Sequence, residues 1–192
     1  MAERNKHIRQ ALIEAGIREI NIHGVTAFSI RRVAQACGVS CAAPYKHFKD
    51  KREFILAIIQ FVNEQWYERQ QQILTGVKAA GGGLRQQIVA ISVQYIRFLM
   101  DKPHFRSILM LKDEQFDNTY HRVRGQLSST TQQLAAAYFA ERGVDQAVQD
   151  RMFFVIRSLI FGAVLRFDIG EMPYSDESMA LIEACIDREF DL

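Results

Sequence analysis

The sequence has only three cysteines, Cys37, Cys41 and Cys185, an odd and sparse set that cannot form a disulfide framework. No basic stretch followed by an apolar run and a small-residue cleavage site opens it, so a reduced, cytoplasmic protein is expected. Long apolar runs are missing as well: residues 153–156 and 159–165 are cut off by Arg157 and Arg166, and no membrane span is expected. Strand-type alternation and internal repeats are absent. No Ser/His/Asp set, carboxylate pair or phosphate loop stands at a recognisable spacing, which disfavours an enzyme, although a triad can be assembled from distant positions. Cys37 and Cys41 are four apart, but a turn intervenes and no second Cys/His pair lies close by, so neither a metal nor any other cofactor is expected.

What is present is an uneven charge distribution. Residues 1–53 hold ten Lys and Arg against five Asp and Glu, while the remainder holds fourteen against seventeen. A basic head on a neutral-to-acidic body suits nucleic-acid binding, because phosphate neutralisation needs local positive charge. A length of 192 residues allows one sizeable core or two small domains.

Helical spacing runs through the chain. Ile8, Leu12, Ala15, Gly16 and Ile20 mark one face of a helix ending near Gly24. Ser29 is placed to N-cap a second helix with Ile30, Val33, Ala34 and Cys37 on its inner face. Gly38 supplies the positive φ of a sharp turn, and Ser40 is the expected N-cap of a short third helix over residues 41–48. Asp50 and Glu53 resemble a capping box opening a long fourth helix, with Phe54, Ile58, Phe61 and Trp66 on one stripe, expected to run to Leu74. Gly76 and Gly81-Gly82-Gly83 read as a linker.

Residues 29–51, SIRRVAQACGVSCAAPYKHFKDK, therefore combine a short helix, a glycine turn, a second short helix with an aromatic and basic end, and a capped long helix. So short a third helix is unstable alone and must be held by its inner face, to which Val39 and Phe48 are assigned. Outward, the Ser40 and Tyr45 hydroxyls, the Lys46 ammonium and the His47 ring suit phosphates or base edges, while Ala42, Ala43 and Pro44 permit close approach and contact with thymine methyls. Cys41 is expected to be exposed there, and Cys37 to lie in the core. Pro44 removes an N–H from the third helix and is expected to distort it.

These residues resemble the TetR family: the Val33-Ala34 pair, the Gly38-Val39-Ser40 turn, Tyr45, His47-Phe48 and Lys51, with the first helix and Gly24 upstream. The resemblance is specific over residues 8–62 and elsewhere rests on size and helical character. It implies that Arg31 reaches a base or phosphate and that Lys51 contacts the DNA backbone. Ala42 and Pro44 depart from the family's usual Gly and apolar residue, which affects which bases are read.

In the C-terminal part, helical stripes run through Leu84, Ile88, Ile91, Tyr95 and Phe98, through Phe105, Ile108 and Leu109 after Pro103, and from Phe116 to Gly143. Residues 146–167 are apolar on two faces, one through Val148, Met152, Val155 and Leu159, the other through Phe154, Ile160, Phe161 and Val164, so this helix needs cover twice. A last helix is expected over residues 176–190 after Pro173 and Ser175. The resemblance implies a small-molecule cavity in this part, which Tyr95, Phe98, Phe105, Phe116, Tyr120, Phe154 and Phe161 would line. His104, His121, Arg97 and Arg157 are nominated as its polar contacts, because charges amid apolar helices need partners.

The reading is an all-α regulator, with a helix-turn-helix DNA-binding domain over residues 1–53, a connecting helix over 50–74, and an effector-binding and dimerisation domain over 75–192. By resemblance, it forms a homodimer through its last two helices. Two recognition helices enter successive grooves of a pseudo-palindromic double-stranded operator, and a small hydrophobic effector releases it. Regulation by a protein partner, or activation, would use the same motif, and an all-α enzyme or scaffold is the remaining alternative.

Overall fold

The computed structural model describes residues 2–103 and 117–191. Regular structure among them is helical throughout: α1 (Ala2–His23), α2 (Ile30–Ala36), a 3₁₀ turn (Pro44–Lys46), α3 (Lys51–Ala79), α4 (Leu84–Asp101), α5 (Asp117–Arg142), α6 (Gln146–Asp168) and α7 (Asp176–Arg188). The helical segment expected after Pro103, including His104, Phe105, Ile108, Leu109 and Phe116, lies outside the described residues.

Helix ends form where the sequence supplies caps. The Ser29 hydroxyl accepts the Arg32 N–H at 3.4 Å, the Asp145 carboxylate accepts the Val148 N–H at 3.0 Å, and the Ser175 hydroxyl accepts the Ser178 N–H at 3.2 Å. At the start of α3, Asp50 accepts the Glu53 N–H at 2.8 Å while Glu53 reaches back to the Lys49 N–H at 2.7 Å, one residue earlier than a standard box. Two expectations need correction here. The helix does not stop at Leu74, and Gly76 is not linker: α3 continues through Gly76 to Ala79. A glycine inside a helix costs only about 1 kcal/mol against alanine, too little to break a 29-residue helix. The stop comes at Gly81, whose φ of 77° lets the Gly82 N–H reach back to the Val77 carbonyl at 2.9 Å.

The chain divides into two compact units, the first made of residues 1–65 and 102–125 and the second of residues 66–101 and 126–192, so that one boundary falls inside α3 after Gln65 and another inside α5 after Gly125. In the first, α1, α2 and the start of α3 enclose Leu12, Ile13, Ile20, Phe28, Val33, Phe48, Phe54, Ile55 and Ile58, all nearly inaccessible to water. Phe54 is its centre, stacked on Phe48 at 4.0 Å and meeting Phe28 edge-on at 5.4 Å. Gly16 lets α1 approach α3, since a Cβ there would stand 2.6 Å from Ile58 Cδ1.

The second unit packs α4 against α6 and α7. Ile88, Ile91, Ile96 and Leu99 of α4 are buried together with Met152, Ile160 and Val164 of α6 and Met179, Ile182 and Ile186 of α7. Arg85, at the start of α4, grips the chain end: it pairs with both carboxylate oxygens of Asp187 at 2.7 and 2.8 Å and with Asp191 at 2.8 Å. The Tyr138 hydroxyl donates to the Phe190 carbonyl at 3.2 Å, and their rings meet edge-on at 5.2 Å.

Candidate nucleic-acid interface

The site begins where α2 ends. Cys37 caps α2, Gly38 takes φ 65°, and the Gly38 and Val39 N–H groups return to the carbonyls of Gln35 at 3.1 Å and Ala34 at 3.0 Å. This double closure is the Schellman turn, and Val39 packs on the core beyond it. Cys37 is half-buried, its Sγ 3.5 Å from the Ala11 carbonyl, and burial pushes its thiol pKa up.

The following segment differs from expectation. Residues 41–48 do not form an α-helix capped by Ser40; residues 41–43 are turns and bends, and a 3₁₀ turn spans Pro44–Lys46. Pro44 has no N–H to give the Ser40 carbonyl, which accepts from Ala43 at 2.9 Å instead. The Ala43 and Pro44 carbonyls likewise take the N–H groups of Lys46 at 3.1 Å and His47 at 2.9 Å in the tighter i→i+3 pattern, and only the Pro44 carbonyl adds an i→i+4 bond, from the Phe48 N–H at 2.9 Å. The residue opening this turn is Ala43, without a side-chain cap bond. Pro44 is also buried and faces inward, so it is not offered to thymine methyls.

Around this buried proline, and on α2 before the turn, several side chains are left facing water. Arg31, Ser40, Cys41, Ala42, Tyr45 and Lys46 are exposed, Tyr45 at 58%, while Ala43 and His47 are half-buried. The His47 ring leans on Phe48 at 6.2 Å, and Phe48 is 2% exposed, as its assigned inner role requires. Lys51 is half-buried and its ammonium donates to the Thr26 carbonyl at 3.0 Å.

Two charged partners have no counterpart in the sequence reading. Glu19, 7% exposed, accepts the Ser29 N–H at 3.1 Å and Arg32 Nε–H at 2.8 Å; Arg32 Nη2 pairs with the same oxygen and donates to the Ala27 carbonyl at 2.6 Å. Its signal is a carboxylate inside the apolar stripe of α1, four residues after Ala15 and one before Ile20, where a charge requires a partner. Arg9 is the other, its guanidinium 5.4 Å from the centre of the Phe48 ring.

In the second unit, Tyr95 and Phe98 join Trp66, with ring centres at 4.9 and 5.1 Å. Burial pushes the Tyr95 hydroxyl pKa up, and the nearby positive charge of Arg157 opposes this. Arg157 itself is exposed, Phe161 is half-buried and Phe154 is 73% exposed. Arg97 pairs with Asp176 at 3.3 Å. The nominated His104, Phe105 and Phe116 lie outside the described residues, as do the side chains of Tyr120 and His121 on α5. No group of three His, Cys, Asp or Glu suited to a metal occurs among the described residues, and no described helix is long and apolar enough to cross a membrane.

Exposed basic and polar side chains on two short elements either side of a glycine turn are the arrangement of a helix-turn-helix DNA-binding segment. Residues 12–58 match the family model for bacterial regulatory proteins, tetR family. Among solved structures, the chain is similar to a TetR family transcription regulator from Marinobacter aquaeolei VT8, with 23% identity, 98% of each chain covered and a TM-score of 0.74. A Bacillus subtilis transcriptional regulator, FadR, in complex with stearoyl-CoA matches at 12% identity over 95% of this chain and 97% of that one, with a TM-score of 0.74. A regulator of the TetR/AcrR family from Thermobifida fusca matches at 18% identity over 97% and 100%, with a TM-score of 0.63. No curated protein matches significantly. The resemblance read from the sequence is borne out: the N-terminal segment matches the DNA-binding region of the TetR family, and the chain has the all-helical fold of TetR structures.

Proposed function

We propose that the protein is a homodimeric repressor that binds a pseudo-palindromic operator and releases it when a small hydrophobic effector enters the C-terminal domain. In this reading residues 1–53 are the DNA-binding domain, residues 75–192 sense the effector and dimerise, and α3 connects them. It acts in the cytoplasm, by binding and not by catalysis. The observation that carries the reading is the exposed set Arg31, Ser40, Cys41, Ala42, Tyr45 and Lys46 on a scaffold fixed by Phe48 and Phe54. Ala43, His47 and Lys51 complete the contact set. Tyr45 and the small residues read base edges; Arg31, Lys46 and Lys51 hold phosphates.

Dimerisation is supported by what α6 and α7 leave uncovered. Met152, Ile160 and Val164 are buried within the unit, yet Phe154 and Leu165 are 73% and 52% exposed and Leu181 is 58% exposed. A second copy presenting the same face covers them. Phe154 thus belongs to the dimer face. The effector is assigned to the Tyr95, Phe98 and Phe161 neighbourhood with Arg157 as polar contact, and the stearoyl-CoA held by the Bacillus subtilis protein makes a long-chain acyl-CoA the first probe.

Selection of bound duplexes from a random library by purified protein tests the DNA function. A palindrome with two half-sites is expected, its recovery weakened in Tyr45→Ala and Lys51→Ala; absence of any enriched sequence defeats the reading. Release of the enriched duplex on adding acyl-CoA, measured by fluorescence anisotropy, tests the effector.

A further inference from the structure

We infer that Glu19 and Arg32 form a positioning clamp for the DNA-reading face, and that Arg32, unlike its neighbour Arg31, does not itself contact DNA. The inference rests on the DNA-binding reading above. One oxygen of the Glu19 carboxylate takes the Ser29 N–H and two N–H groups of Arg32, while the other stands 3.8 Å from His23 Nε2. Arg32 Nη2 also holds the Ala27 carbonyl at 2.6 Å, and the Arg32 main-chain N–H lies on the Ser29 hydroxyl. Residues 27–32 are therefore pinned to the last turns of α1 by one buried carboxylate.

The seven-residue α2 is anchored on the core by Ile30, Val33 and Ala34 alone, a small surface with which to fix its direction. The Arg32 guanidinium adds to that packing, because its N–H bonds to one Glu19 oxygen and to the Ala27 carbonyl run in two directions and so define orientation as well as distance. Glu19 is 7% exposed, so its carboxylate needs a partner; the Arg32 side chain, itself 46% exposed, is held by its bonds to Glu19 and the Ala27 carbonyl. Arg31, next in the chain and exposed, carries no such tie in its assigned role: it is presented to the duplex by the clamp beside it. Two adjacent arginines thus divide the work, one for the fold of the corner and one for the phosphate or base.

The test uses the duplex enriched by the wild-type protein and follows affinity against salt for Glu19→Gln, Arg32→Gln, Arg31→Gln and the Glu19→Gln/Arg31→Gln double variant. Glu19→Gln and Arg32→Gln are expected to weaken binding about tenfold with the salt slope unchanged, and Glu19→Gln to cost much less once Arg31 is gone. Arg31→Gln is expected to lower the slope by about 0.9 for each phosphate that Arg31 neutralises. A lowered slope in Arg32→Gln, tighter binding in Glu19→Gln, or losses that simply add would each overturn the clamp. Should Glu19→Gln fail to fold by circular dichroism, Arg32→Lys carries the test: the charge stays but the fork is gone, and wild-type affinity in that variant overturns the inference. Failure of the wild-type protein to enrich any duplex sinks the DNA-binding reading instead, whereas enrichment with indifferent variants sinks only the clamp.

Discussion

The two units of the molecule both cap their helices with polar side chains but place their longer-range polar ties differently. In the first, ties sit at the joints of short elements: Glu19 with Arg32 and Ser29, Lys51 with Thr26, Asp50 with Glu53. In the second, α4 and α6 have 18 and 23 residues and bury long apolar stripes, and beside the helix caps at Asp145 and Ser175 a longer-range tie, Arg85 with Asp187 and Asp191, fastens the end of α7 to the start of α4. A face that must meet DNA has to expose its side chains, so short helices are held from behind by directed bonds. A unit assigned to dimerisation and effector binding can rely on apolar surface, and leaves part of it open.

That contrast can be broken most severely at Phe54, fully buried between Phe48 and Phe28. Phe54→Ala should destabilise the first unit by about 3–5 kcal/mol and abolish duplex binding, seen in urea unfolding and anisotropy. In the second unit the corresponding blow is to the open face: Leu181→Glu, at a position 58% exposed, should loosen the dimer by about 2 kcal/mol, or roughly thirtyfold, while helicity is retained. Sedimentation equilibrium decides it; an unchanged association constant would remove this face from the dimer. Ser29→Ala should cost about 1 kcal/mol by removing the α2 cap, read from the melting midpoint.

The smallest effect is at the chain end. Hydrogen bonds from Arg85 hold the Asp187 carboxyl below its ordinary range. A lowered folded value means that the contribution is complete above the ordinary carboxylate pKa of about 3.9 and is lost as pH falls through the lowered value. Calorimetry below about pH 4 should show a shallower acid decline for Asp187→Asn than for wild type.

What is legible in the sequence is local. Ser29, Gly38 and Asp50 act within a few residues of themselves, so their caps and turn can be read directly. The recognition segment departs from its expected α-helix because Pro44 does more than weaken one bond: without its N–H the Ser40 carbonyl turns to Ala43, and the segment settles as a 3₁₀ turn with the proline ring inside. The end of α3 falls later than expected because one glycine does not break the helix; two, Gly81 and Gly82, are needed to close it. The Glu19–Arg32 pair spans 13 residues across a turn, beyond any spacing rule. Phe154, Phe161 and Phe167 share an apolar helix but range from 73% exposed through half-buried to 7%, and composition does not separate them.

The central claim is that the exposed set from Arg31 to Lys46 reads DNA, and salt titration of wild type, Tyr45→Ala and Lys46→Gln on the enriched duplex and on a random duplex tests it most directly. Lys46→Gln should weaken both duplexes alike and lower the slope of log affinity against log salt by about 0.9 per phosphate, or about 1.8 for a dimer on two half-sites. Tyr45→Ala should weaken the enriched duplex more than the random one. Equal binding by all three proteins, with a common slope, would contradict the account.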